Sequence, residues 1–342
     1  MNASQSVGGM LGQAYSGSRH RVFLPSTVNP ALVACPRANG PVAEEAGGWF
    51  KRYRTRLIVG LSNSGRWPQV TVLLVIGLLL SGCIGGQLQA QREAAADVAI
   101  TSGWQRSNLE AGPFVLASFA PQGLQRTTML TVYIEGDGLA WLNASTPSTD
   151  PTPLNPLALR LALRDPGGAA VYLGRPCQFV TGEQRRGCQR KYWTSHRFAP
   201  EVIEASSSAI EQLKQRYAAE HLVLVGYSGG GAVAALIAAQ RQDVTRLITV
   251  AGNLDHHAWT TGLRLSPLEG SLNPADAWQR LQYVPQVHFV GGQDRVMSES
   301  VIESYRARFA VGSPPVVRRL PGFDHHCCWV EQWPELLGGA GL

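Results

Sequence analysis

The sequence predicts a three-layer α/β domain with a mostly parallel central sheet, and three observations carry that prediction. Short apolar runs of strand length alternate with longer helix-length patterns through the C-terminal two thirds of the chain. Most of those runs are near-continuous Val, Leu, Ile or Tyr instead of alternating apolar and polar residues, as expected of strands covered on both faces. The 342 residues are 44% hydrophobic and 16% charged, enough apolar matter for one large core and too much for wholesale disorder. The 37 glycines follow no G-X-Y period, which excludes a collagen-like chain.

The N-terminal part is of a different kind. Residues 1–66 hold eight Lys or Arg and two Glu, and so account for the whole net charge of +6; residues 67–342 hold 22 basic and 22 acidic side chains. No basic surplus is left on the main body for a nucleic-acid footprint. Val70–Leu80 is an uncharged, mostly apolar run of eleven residues, shorter than the roughly 20 that span a bilayer. With Arg66 in front, it has the build of a secretory signal core. Leu80-Ser81-Gly82-Cys83 follows directly and resembles the lipobox of bacterial lipoproteins. That resemblance implies an acylated Cys83 and a body tethered to a membrane outside the cytoplasm. Ile84 in place of Asp favours the outer membrane, facing the periplasm, if the cell is Gram-negative. Residues 1–58 show no helical or strand period, and translation is expected to begin nearer Val59 or Leu61 than Met1. The expected organisation is an extension over 1–58, a signal over 59–82, a lipidated Cys83 with a tether to 108, and one domain over 109–342.

Within the domain, strands are expected at Phe114–Ser118, Met129–Glu135, Ala169–Leu173, Leu222–Gly226, Val244–Ala251, Val287–Gly291 and Val316–Leu320. Helices are expected at about 200–220, 230–240, 298–310 and 328–337, and no internal repeat is visible. The segments 140–169 and 259–277 are expected to cap the site.

Gly226-Tyr227-Ser228-Gly229-Gly230 matches the G-x-S-x-G pattern of a nucleophile elbow. The pattern alone is weak, but Leu222–Val225 precedes it as a buried strand and residues 230–239 follow as a small-residue helix. Ser228 therefore falls on a strand-to-helix turn, with the helix N-terminus and its positive dipole end beside the hydroxyl. A phosphate-binding loop is disfavoured because no Gly-Lys-Ser/Thr follows. A serine hydroxyl needs a base, and the base needs a carboxylate to orient it. Asp294 follows the strand ending near Gly291, and His325 follows the strand ending at Leu320. Both lie just past strand ends, where open α/β sheets place their ligands.

In these motifs and their Ser, Asp, His order, the sequence resembles the α/β-hydrolase superfamily over about residues 110–342. The resemblance implies Ser228 as nucleophile, Asp294 as orienting acid and His325 as general base, with no cofactor and no metal. Asp255 is the alternative acid, one strand earlier, and His326 the alternative base; His256 and His257 are candidates to line the substrate site. The oxyanion donors implied are the Gly229 N–H and the Asp137 N–H, with Gly138 second to Asp137. Glu135-Gly136 stands where the family often has His-Gly, which puts a carboxylate near the oxyanion site.

Of the six cysteines, Cys177 and Cys188 are expected to form a disulfide in an oxidising envelope. Cys327 and Cys328 are expected as buried thiols, since a bridge between neighbours is sterically awkward. Asp324-His325-His326-Cys327 spells the signature of protein S-acyltransferases. Those are multi-pass membrane proteins with cysteine-rich zinc domains, and the match reads as coincidence. Four consecutive residues also converge poorly on one tetrahedral metal ion. The expected activity is hydrolysis of a small-molecule or lipid ester. Amide or peptide hydrolysis on the same triad is one alternative, and a non-catalytic binding or scaffold module on the same fold is another.

Overall fold

The computed structural model describes residues 88–309 and 314–339. The proposed signal, Cys35, Cys83 and the 1–58 extension lie outside the described residues. Eight strands form the central sheet: β1 (Trp104–Ala111), β2 (Phe114–Pro121), β3 (Met129–Ile134), β4 (Ala170–Leu173), β5 (His221–Tyr227), β6 (Val244–Val250), β7 (Gln286–Gly291) and β8 (Val316–Leu320). Their spatial order is β1-β2-β4-β3-β5-β6-β7-β8. The pairs β1–β2 and β2–β4 are antiparallel, and every other neighbouring pair is parallel. The three-layer, mostly parallel architecture read from the sequence is the one observed.

The apolar runs explain the sheet. All of β4 and β7 is buried, as is β5 after His221, so Val, Leu and Ile there face helices on both sides. β8 departs from expectation. It is an edge strand, with Val316, Arg318 and Arg319 exposed, and its arginines blunt an edge that would otherwise invite pairing.

Helices fill the crossovers. After a first helix over 88–101, labelled α1, come α2 (Leu157–Ala162), α3 (Pro200–Arg216), α4 (Gly229–Ala238), α5 (His256–Leu263), α6 (Trp278–Leu281), α7 (Glu299–Arg306) and α8 (Trp329–Gly339). α3 packs beside α4, and α2 beside α8, giving a helical layer on each side of the sheet. α8 is anchored by Trp329 and Trp333, both fully buried. Trp333 Nε1 donates to Tyr133 Oη at 2.9 Å, and that hydroxyl donates to Asp165 Oδ2 at 2.6 Å.

Three stretches differ from the sequence reading. The tether expected to run to 108 is helical from 88 to 101, with Ala95 and Ala99 buried against the body. Arg92 Nη2 also donates to Asp150 O at 2.9 Å. β1 was not expected, because its residues are mostly polar and only Trp104, Leu109 and Ala111 are buried. α2 falls inside a segment read only as a cap, and α5 runs into the other.

This topology positions the site. The chain leaves β3 toward β4 on one side and returns through α3 to β5 on the other, so the loops after β3 and β5 diverge. That divergence is the switch point at which open α/β sheets form a crevice.

Candidate active site

Ser228 links β5 to α4 with φ 51° and ψ −120°, a backbone conformation costly for any residue with a Cβ. Hydrogen bonds hold it there: Ser228 N–H donates to Val250 O at 2.9 Å, and Ser228 O accepts from Asn253 N–H at 2.9 Å. The flanking glycines are steric requirements. A Cβ on Gly226 would strike Gly230 O, and one on Gly230 would strike Ile134 O and Glu135 O. Serine is a common helix N-cap, yet the Ser228 hydroxyl caps nothing in α4 and points elsewhere.

It points to His325. His325 Nε2 and Ser228 Oγ are 3.1 Å apart, and His325 Nδ1 is 2.8 Å from Asp294 Oδ2. Asp294 Oδ1 accepts from the N–H groups of Val296 and Met297, both at 2.8 Å, which fixes the carboxylate. All three residues are buried, each 6–7% exposed. The structure thus brings together the serine, acid and histidine singled out in the sequence.

The alternatives sit elsewhere. Asp255 is the N-cap of α5. Its Oδ1 accepts from His257 N–H (3.1 Å), Ala258 N–H (3.3 Å) and Asn273 Nδ2 (3.1 Å), and its Oδ2 accepts from Ser304 Oγ at 2.6 Å. Four donors occupy this carboxylate without a histidine ring. His326 Nδ1 lies 3.2 Å from Tyr227 Oη rather than on the serine. Tyr227 Oη also donates to His325 O at 3.1 Å, steadying the histidine loop. His256 is buried and His257 faces a second, smaller hollow.

On the opposite side of the crevice, Asp137 and Gly138 occupy the loop after β3, and Asp137 packs so closely on Gly229 that a Cβ there would overlap its carboxylate. Glu135 is held by backbone donors. Its Oε1 accepts from Gly136 N–H at 2.8 Å and from Ala158 N–H, at the start of α2, at 3.5 Å. Burial pushes the Glu135 carboxyl up to about 7, against the pull of those N–H groups. Burial also pushes Asp137 up, but the charges of Arg197 and Arg175 outweigh it and hold the carboxyl below its ordinary value. Neither arginine stood out in the sequence, because nothing in local spacing links 175 and 197 to 137.

Ser228 and His325 open on a cleft of about 1010 Å³. Its wall is mainly apolar, with Leu139, Trp141, Leu154, Trp259, Leu268 and Met297. Both segments expected to cap the site contribute to it; Thr194, Ser195 and Arg197 form a further wall the sequence did not suggest.

Cys177 and Cys188 are bridged, with Cα atoms 5.6 Å apart, as expected. The expectation of buried thiols at 327 and 328 is corrected: the two neighbours form a disulfide with each other. Among the described residues, no three His, Cys, Asp or Glu side chains converge as metal ligands, and no helix is long and apolar enough to cross a membrane.

No protein-family model matches the chain, and no curated protein matches it. Solved structures do. An α/β serine hydrolase homologue from Coxiella burnetii is 15% identical over 69% of this chain and 95% of its own, with a TM-score of 0.46. An esterase from Pyrococcus furiosus is 11% identical over 70% and 91%, with a TM-score of 0.49. A bacterial membrane phospholipase A is 16% identical over 79% and 99%, with a TM-score of 0.43. At such identities and TM-scores, these likenesses carry no argument for fold or role. The sheet order and the strand–serine–helix turn at its centre are those of an α/β-hydrolase fold.

Proposed function

We propose that this chain is a serine hydrolase that cleaves ester-like acyl substrates through an acyl-enzyme. The observation that carries the proposal is the continuous hydrogen-bonded path from Asp294 through His325 to Ser228, ending on a strained turn at the floor of an apolar cleft.

The chemistry follows from the groups in reach. Asp294 accepts the His325 Nδ1–H, which leaves the Nε2 lone pair free to take the Ser228 proton. Ser228 Oγ forms a bond to the substrate carbonyl carbon as that proton moves to Nε2. The carbonyl oxygen becomes an oxyanion, stabilised by the N–H groups of Gly229 and Asp137. Collapse breaks the bond to the leaving alcohol, which departs with the proton from Nε2. Water, deprotonated by the same nitrogen, attacks the acyl-enzyme and releases the acid and free Ser228. The scaffold alternative would need the Glu135 carboxylate to oppose the oxyanion, and the N–H groups of Gly136 and Ala158 that engage that carboxylate weaken this alternative. Amide cleavage needs the same groups plus protonation of a poorer leaving group, and an ester is the simpler substrate.

The proposal extends to location: acylation at Cys83 would tether the domain to the envelope membrane, a reading that rests on the sequence around residue 83.

Fluorophosphonate labelling tests the catalytic reading. The wild type should label, and Ser228→Ala and His325→Ala should not. A folded wild type that fails to label would leave the scaffold reading in its place.

A further inference from the structure

Arg175 follows β4 closely and Arg197 lies just before α3, and both guanidiniums converge on Asp137. Arg175 Nη1 donates to Oδ1 at 3.3 Å, and Arg197 Nη1 to Oδ2 at 2.6 Å. Their other acceptors are neutral: Arg197 Nε donates to Thr194 O at 2.8 Å, and Arg175 Nη2 donates to Arg197 O. Arg175 Nε is buried without a partner. The two side chains are only 5% and 7% exposed.

The charges do not balance. Two buried cations share one carboxylate, and among the described residues no other Asp or Glu lies within ion-pair distance of either. Glu135 contributes to the field at Arg175 but spends its hydrogen bonds on Gly136 and Ala158. Backbone carbonyls solvate a guanidinium without cancelling its charge, and an uncompensated buried charge is costly. A clamp between two loops would need only one arginine.

The surplus faces the site. Arg197 and Asp137 both line the cleft that holds Ser228, and Asp137 packs on Gly229, so the cationic surplus lies close to the reacting centre. Arg197 is also stacked on Trp259, 5.5 Å from the ring centroid, and Trp259 belongs to the same wall. We propose that the cleft selects an amphiphilic ester with a single negatively charged group near the scissile bond, held by Arg197, and an apolar portion against Trp141, Leu154, Leu268 and Met297. This deepens the hydrolase reading and rests on it. The charged group is an oxyanion, either a carboxylate or a phosphate ester, since a guanidinium fork matches both.

Two matched substrate pairs with the full chain test it. In the first, the 4-nitrophenyl ester of glutarate, bearing a free carboxylate, is compared with its methyl-capped counterpart. In the second, butyryl glycerol 3-phosphate is compared with butyryl glycerol. The expected kcat/KM preference for the charged member is about tenfold in at least one pair, and the pair showing it identifies the source of the charge. Arg197→Met should bring that ratio close to one. If Arg197→Met does not fold, competition in the wild type decides: glutarate or glycerol 3-phosphate should inhibit turnover of an uncharged ester, while the uncharged counterparts should not. A preference below threefold in both pairs, or one that Arg197→Met leaves intact, overturns the proposal. If the surplus serves only the oxyanion, both members of each pair are favoured alike, which counts against it equally. Absence of both fluorophosphonate labelling and turnover of any ester would instead sink the hydrolase reading.

Discussion

Asp294 and Asp255 are the same residue type, each just past the end of a parallel strand, and their chemistry is separated by what surrounds them. One carboxylate takes two backbone N–H groups on one oxygen and offers the other to His325. The other is saturated by a helix start, an amide and a serine. Asp294→Asn should lower kcat by about 10³–10⁴-fold while leaving the far-ultraviolet circular dichroism unchanged, because an amide donor facing Nδ1 favours the wrong imidazole tautomer. Asp255→Ala should retain fluorophosphonate labelling and lose about 1–2 kcal/mol in urea unfolding, the value of a helix cap. Spacing could nominate both acids but could not choose between them, since the choice depends on side-chain direction at the strand end. His325 and His326 were ambiguous in the same way. Glu135 gives a pH prediction. Its carboxyl titrates near 7 in the folded chain and near 4.5 when unfolded, so the stability tied to its neutral form is complete below about 4.5 and lost as pH rises through about 7. The comparison must be with Glu135→Gln, because buried His288, held down to about 3 by burial, acts in the opposite direction as pH falls from its ordinary value. The wild type should lose roughly 3 kcal/mol relative to Glu135→Gln between pH 4.5 and 7.5, read from urea unfolding at each pH.

At the scale of elements, the sheet was the most legible part of the fold. Buried parallel strands announce themselves as runs rich in Val, Leu and Ile; β5 is uninterrupted after His221, whereas polar residues break the runs of β6 and β7. β1 has no such run, because an antiparallel edge strand needs only a few inward residues; the Gly112-Pro113 turn into β2 was the available signal. α2 was missed because six residues give too little period to read, although five of them are buried. The close approach of α4 to β3 is a prediction in itself. Gly230→Ala would press a methyl group onto the Ile134 and Glu135 carbonyls, and should destabilise the domain by about 1–3 kcal/mol in chemical denaturation or prevent folding. It should also impair labelling in whatever fraction folds, because the carbonyls it displaces begin the loop that carries Asp137.

For the whole molecule, the division of charge is informative: a basic N-terminal segment precedes a body whose acidic and basic side chains cancel. Cys83→Ser should abolish incorporation of radiolabelled palmitate and move the protein from the membrane fraction to the soluble one; unchanged fractionation and labelling would remove the anchor from the account. The arginine surplus beside Asp137 belongs to this scale as well, since it joins the loop after β3 to the two ends of the β4–α3 connection and was invisible for that reason.

The first helix has a mechanical consequence for that anchor. A flexible leader of twenty-odd residues would let the domain range widely above a bilayer. Because α1 extends at least as far back as Leu88 and is seated on the body through Ala95 and Ala99, the span from Cys83 to Leu88 is five residue steps, no more than about 18 Å when fully stretched. An acylated Cys83 would moor the domain on a leash of at most that length, confining its search to molecules in the lipid surface or in the thin layer of solvent above it.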